Sequence, residues 1–181
     1  APASEQNLAR ARREARATAR ITSPNVVAVY DVIEQDAALW LIMELVRAPS
    51  LAAIVAERGP LDEPLAAAIG LGVLDALVAA HAQGIVHRDV KPSNVLVELD
   101  PTGADEVPPD IRPEPLVKLA DFGVAALRDE TTQTAPGAVI GSPSYMSPEQ
   151  ASGKPVGPAS DMWGLGALLY FAVEGEPPFD A

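Results

Sequence analysis

The chain has no cysteine, which excludes disulfides and Cys-ligated metals and favours a reducing compartment. Lysine is scarce, and none occurs before Lys91. No G-x-G-x-x-G lies ahead of Asp89, and neither a heptad nor an internal repeat is present. Long apolar runs are also missing. The 12 residues between Asp161 and Glu174 are too few to cross a bilayer, and Asp75 interrupts the other long stretch. A basic footprint is lacking as well. Residues 1–20 carry five Arg against Glu5 and Glu14, a net of +3, and the remainder holds 8 basic and 23 acidic residues. With a formal net charge of −12, broad nucleic-acid binding is disfavoured, because it needs a basic surface. Glu5 and Glu14 also argue against reading the Arg-rich start as a transit peptide.

What is present is globular: 48% hydrophobic against 21% charged over 181 residues, enough for one domain or a piece of a larger one. Ser4 to Arg20, rich in Ala, Arg and Glu, reads as a helix that Ser23-Pro24-Asn25 breaks. Val26–Glu34 and Ala38–Glu44 read as two strands joined at Gln35-Asp36, and Leu51–Glu57 as a short helix. Asp62 as N-cap and Gly84 as stop bracket a longer helix, with Leu65, Ile69, Val73, Leu77 and His81 at i+4 steps. Its terminal His81 reads as core rather than as a ligand. Two short apolar segments follow, Val95–Glu98 and Leu116–Leu119. Between them Asp100–Pro115 holds five prolines and five acids, an extended solvated loop. Ser160–Glu174 is apolar on nearly every face and reads as a buried helix stopped by Gly175.

Chemistry concentrates in Ile85-Val-His-Arg-Asp-Val-Lys-Pro-Ser-Asn-Val95. Asp89, Lys91 and Asn94 put an acid, a cation and an amide on one loop between apolar segments. Phosphoryl transfer asks for that set: an acceptor for the hydroxyl proton, a positive charge near the moving phosphate and a metal ligand. Asp121-Phe122-Gly123 follows the second short strand. Taken alone it is an ordinary turn; beside the Asp89 loop it supplies a second carboxylate.

These two motifs, in this order, resemble the catalytic loop and metal motif of protein kinases, and the usage is similar to bacterial Ser/Thr kinases of the actinobacterial type. The resemblance implies an α+β, two-lobe protein-kinase fold, incomplete here. Residues 1–45 would be a remnant of the small lobe and 46–181 the large lobe, with a Pro/acidic insertion at 100–115. It implies transfer of the ATP γ-phosphate to protein Ser/Thr hydroxyls, with ATP and Mg²⁺ (or Mn²⁺) as cofactors. Asp89 would meet the substrate hydroxyl, Lys91 the transferring phosphoryl, and Asn94 with Asp121 the metal. Met43 would be the gatekeeper, the backbones of Glu44 and Val46 would meet adenine, and Leu96 would floor the pocket. Glu14 looks like the helix glutamate that pairs with a nucleotide-binding lysine.

On the same resemblance, Arg88 would grip an activation-loop phosphate carried by Thr132 or Thr134, in self-activation that a homodimer would serve. Ser142 stands where the family usually has Thr, in the segment Gly141–Glu149 that would dock substrate. His87, packing with Phe122, together with Glu149 and Asp161, would be structural supports. Glu149 would pair in the family with an Arg beyond Ala181, so here it is expected buried and unpaired, at a cost of about 3–5 kcal/mol.

The Gly-rich loop and the Val-Ala-Ile-Lys strand of the family have no counterpart in these residues. The expectation is a segment cut from a longer, cytoplasmic signalling kinase, anchored to the membrane if at all beyond Ala181, with little activity alone. A pseudokinase or binding module is the alternative, and a small-molecule phosphotransferase a third. Against the second stands the full set Asp89, Lys91, Asn94 and Asp121; against the third stand Ser142–Glu149 and the Thr-bearing loop.

Overall fold

Residues 12–13 and 15–18 are helical, inside the Ala/Arg-rich start, and Ala19 N–H closes a turn on Ala15 C=O at 3.1 Å. The computed structural model describes residues 12–13, 15–35, 38–99, 114–122 and 143–179. The site candidates Glu14, Thr132, Thr134 and Ser142 lie outside the described residues, as does most of the Asp100–Pro115 insertion.

Strands β1 (Val29–Gln35) and β2 (Ala38–Met43) form an antiparallel hairpin, with Gln35 opposite Ala38 and a bulge between Val29 and Asp31. The strand expected from Val26 starts later. Val26 makes a parallel bridge to Leu119 instead, Val27 N–H donates to Leu119 C=O at 3.0 Å, and Leu119 N–H donates to Asn25 C=O at 2.8 Å. β-Branched residues suit any pleated surface, so their type alone does not choose between two sheets. Burial decides it: Val26 and Val27 are buried, whereas β1 has no buried position.

Ser50 caps helix α1 (Leu51–Arg58), its side chain accepting from Ala53 N–H. Asp62 caps α2 (Glu63–His81) in the same way through Leu65 N–H, with Glu63 in the first turn where the helix dipole favours an anion. Helix α2 has the length and hydropathy of a membrane-crossing helix. Here its stripe of Ile69, Val73, Ala76, Leu77 and Ala80 has no exposed surface and packs toward β4 (Leu116–Leu119) and α4 (Pro158–Glu174). Gly72 allows the approach, because a Cβ there would sit 2.7 Å from Val117 Cβ.

β3 (Val95–Glu98) pairs antiparallel with β4, Val95 opposite Leu119, so that Val95, Val97, Val117 and Leu119 all enter the core. Both strands have the bounds expected from sequence. The short helix α3 (Pro148–Ala151) precedes α4, which Gly175 ends in the left-handed conformation at φ 83°. One expectation for α4 fails. Ser160, Asp161, Gly164, Leu165, Ala167, Leu168 and Ala172 are buried, but Met162, Trp163 and Tyr170 are 39–45% exposed, so one face is open. Hydrophobic content marks what a helix would bury, not which side has a neighbour.

Candidate active site

The loop 87–94 crosses between α2 and β3 with little regular structure, and its shape is imposed from outside. Asp161, 1% exposed in the first turn of α4, accepts Arg88 N–H on Oδ1 at 2.8 Å and His87 N–H on Oδ2 at 2.9 Å. His81 Nε2 lies 2.7 Å from the same Oδ2. A buried carboxylate needs such partners, because desolvation without them costs several kcal/mol. Gly164, one helical turn further on, brings α4 against the loop: a Cβ there would meet Val90 Cβ at 2.9 Å and Val90 O at 3.0 Å. The loop is thus seated on α4 by charge and by contact.

His87 is fully buried, and burial pushes its imidazole below the ordinary value, toward the neutral form. Its hydrogen bonds specify the tautomer. Nδ1 accepts Asp89 N–H at 3.2 Å, so Nε2 carries the proton and donates to Ala120 C=O at 2.8 Å. The ring meets Phe122 edge-on, with centroids 4.5 Å apart. One buried side chain therefore joins the Asp89 loop to the Ala120–Phe122 segment. Asn94 C=O adds a second tie by accepting Ala120 N–H at 2.9 Å.

Above this base the reactive groups converge. Asp89 Oδ2 takes Lys91 Nζ at 2.7 Å and Asn94 Nδ2 at 3.2 Å, and Asn94 Nδ2 also donates to Asp89 C=O at 2.8 Å. Asp89 Oδ1 and Asn94 Oδ1 have no hydrogen-bond donor among the described residues, leaving two oxygens presented by one loop. Asp121 is exposed and held at φ 63°. A left-handed non-glycine residue of this kind carries backbone strain and occurs preferentially at functional positions. Asn94 Oδ1 and the Asp121 carboxylate are hard oxygen donors of the kind Mg²⁺ takes, so the residues present fit that ion. Among the described residues no cluster of three or more His, Cys, Asp or Glu could form a metal cage. Two protein ligands with the remaining positions left to water or phosphate match Mg²⁺ usage.

Met43 is 41% exposed, and Val46 and Leu96 are half-buried. The Glu44 backbone donates to Ala28 C=O at 2.9 Å. Its carboxylate accepts Lys118 Nζ at 2.8 Å and Ala28 N–H at 3.2 Å, and the Lys118 hydrogen bond chiefly holds its pKa below the usual range. Lys118, unremarked in the sequence, ties the segment after β2 to β4. His81 is the second unexpected participant. It stands at the end of an apolar i+4 stripe, and that misplaced polarity was its signal.

Arg88 occupies φ 70°, and its Nε is buried with no hydrogen-bond partner among the described residues. Glu149 corrects an expectation. It is half-buried and accepts the Ser160 hydroxyl, which lowers its pKa, so no stranded carboxylate results. The hydroxyl lies in the first turn of α4, a pairing that sequence spacing alone does not reveal.

Known proteins match this arrangement over nearly the whole chain. A sequence model described as the protein kinase domain matches residues 2–181. The chain is 41% identical over 167 residues to the serine/threonine-protein kinase PkaA of Streptomyces coelicolor, covering 92% of this chain and 29% of that protein. It is 38% identical over 175 residues to PknL of Mycobacterium tuberculosis, covering 97% of this chain and 40% of that one. Among solved structures, the PknI kinase domain of Mycobacterium tuberculosis superimposes with a TM-score of 0.72 at 29% identity, over 97% of this chain and 60% of that one. Rad53 in complex with AMP-PNP gives 0.72 at 27% identity, over 94% and 39%. The chain spans 24–31% of the length of the first four curated relatives it matches. With the loop, the metal-motif aspartate and the buried carboxylate beneath them all on one scaffold, the chain belongs to the protein kinase family and carries part of its two-lobe fold.

Proposed function

We propose that the intact protein transfers the γ-phosphoryl of ATP to Ser/Thr hydroxyls of proteins. The observation that carries the reading is the Asp89 carboxylate, held on Oδ2 by Lys91 and Asn94, with Oδ1 free of any donor among the described residues. In the step, the substrate hydroxyl oxygen bonds to the γ-phosphorus as the bond to the bridging oxygen of ADP breaks. Asp89 Oδ1 orients the hydroxyl and takes its proton. Lys91, 2.7 Å from Asp89, offsets negative charge on the transferring phosphoryl. Asn94 Oδ1 and Asp121 would hold Mg²⁺ or Mn²⁺, which supplies charge neutralisation on the β- and γ-phosphates when bound. Adenine would lie against the backbones of Glu44 and Val46, beside Met43 and over Leu96. Glu14 would complete the phosphate side with a lysine supplied from elsewhere in the intact protein. A relative solved in complex with AMP-PNP supports an adenine-nucleotide ligand.

Regulation belongs to the same reading. The buried Nε of Arg88, without a hydrogen-bond partner among the described residues, supports an anion-gripping role toward a phosphate on Thr132 or Thr134, with Ser142 nearby in sequence. Labelling between two copies would install it, in the cytoplasm where ATP is supplied. Mass spectrometry of the intact protein after incubation with ATP and Mg²⁺ tests this: phosphate on Thr132 or Thr134 is expected. An unmodified protein that still binds ATP would favour a non-catalytic binding module instead.

A further inference from the structure

We propose that Gln150 is a positioning residue for phosphoryl transfer, setting the Arg88–Asp89 peptide from the segment that precedes α4. The proposal rests on the kinase reading above. Arg88 sits in the left-handed region at φ 70°, a conformation that strains a non-glycine residue and persists only where the surroundings hold it. Its N–H is held by Asp161 Oδ1 at 2.8 Å. Its carbonyl accepts Gln150 Nε2 at 2.7 Å. That carbonyl belongs to the peptide whose nitrogen is Asp89 N, and Asp89 N–H donates to His87 Nδ1 at 3.2 Å. The peptide leading into Asp89 is therefore pinned at its oxygen by Gln150 and at its nitrogen by His87.

The other half of the Gln150 amide is equally engaged. Its Oε1 accepts Ser147 N–H at 3.0 Å, and Ser147 Oγ accepts Gln150 N–H at 3.4 Å, a reciprocal box that starts α3. One planar amide thus accepts from residues 147–151 and donates to the loop that carries Asp89. Only an amide does both. A carboxylate keeps the box and loses the donor, and an ammonium keeps a donor and loses the box. Residues 147–151 and the loop 87–94 are coupled through this side chain, and a shift in one is felt at Asp89.

Gln150→Glu and Gln150→Lys in the intact protein separate positioning from simple helix capping. Gln150→Glu keeps the reciprocal box, so its Tm should stay within a few degrees of the unsubstituted protein. Its carboxylate faces the Arg88 carbonyl, and kcat should fall about tenfold or more, since displacement on the order of 1 Å costs up to about 100-fold. KM for ATP should change by less than about twofold, because among the described residues the Gln150 side chain hydrogen-bonds to Ser147 and Arg88, not to the Met43–Val46 segment. Gln150→Lys should lose Tm yet exceed Gln150→Glu in kcat. The reverse order, with activity following Tm, overturns the proposal, as does a Gln150→Glu kcat within twofold of the unsubstituted protein. If the unsubstituted protein shows no turnover, the kinase reading fails, and amide exchange at Asp89 still reads the contact. Exchange about tenfold faster in Gln150→Glu supports the positioning, and unchanged exchange refutes it.

Discussion

Replacing Asp161 with Asn tests how the loop that carries Asp89 is held. The carboxylate accepts three hydrogen bonds with 1% of its residue surface exposed: Arg88 N–H at 2.8 Å, His87 N–H at 2.9 Å and His81 Nε2 at 2.7 Å. Asparagine has the same outline but one oxygen. If that oxygen faces Arg88, the new NH₂ meets His87 N–H donor to donor at 2.9 Å, and a buried N–H is left unsatisfied at about 1–3 kcal/mol. Hydrogen bonds to a charged acceptor are worth about 1.5–3 kcal/mol each, so weakening the Arg88 bond adds to the loss. His81 offsets part of it, since a neutral imidazole can accept from the new NH₂. The expected net loss is about 3 kcal/mol, a large share of the ~5–15 kcal/mol that holds a typical domain folded. Urea unfolding of the intact protein measures it, and faster amide exchange at His87 and Arg88 localises it. A loss below about 0.5 kcal/mol, with both amides still protected, would refute the view that Asp161 shapes the loop.

Glu44→Gln should cost about 1 kcal/mol at neutral pH, the scale of a partly exposed ion pair with added hydrogen bonds. Because Lys118 and Ala28 N–H depress the Glu44 pKa in the folded state, this contribution is present above the unfolded carboxyl value of about 4.3 and fades as pH falls through the folded value. Urea unfolding at pH 7 and pH 3.5 should show the difference between the two proteins shrinking at the lower pH. Leu168→Ala, at a position with no exposed surface on α4, should destabilise by about 2–5 kcal/mol by the same assay.

The sequence was most readable where one local signal governs. Asp62 and Gly175 bracketed their helices through capping chemistry, and the two short apolar segments Val95–Glu98 and Leu116–Leu119 became strands with those bounds. The site loop was legible because Asp89, Lys91 and Asn94 lie within six residues of one another. What escaped depends on distant partners. Val26 and Val27 joined β4 rather than β1, and Lys118 reached Glu44 across 74 positions. His81 met Asp161 across 80, and Gln150 reached back 62 to Arg88. No periodicity encodes such pairs. The exposed face of α4 shows the same thing from the other side, since an apolar residue states its preference for burial but not what is available to cover it.

The role of Asp89 in phosphoryl transfer can be read in a single labelling assay. The intact protein and its Asp89→Asn variant are incubated with γ-labelled ATP, Mg²⁺ and a Ser/Thr-bearing protein acceptor, at matched fold as judged by Tm. The unsubstituted protein should incorporate label, and EDTA should abolish that incorporation. In the Asp89→Asn variant incorporation should fall by at least the 10²–10⁴-fold typical of removing a positioned general base. An Asp89→Asn protein that labels the acceptor at an undiminished rate would remove Asp89 from the chemistry of the transfer.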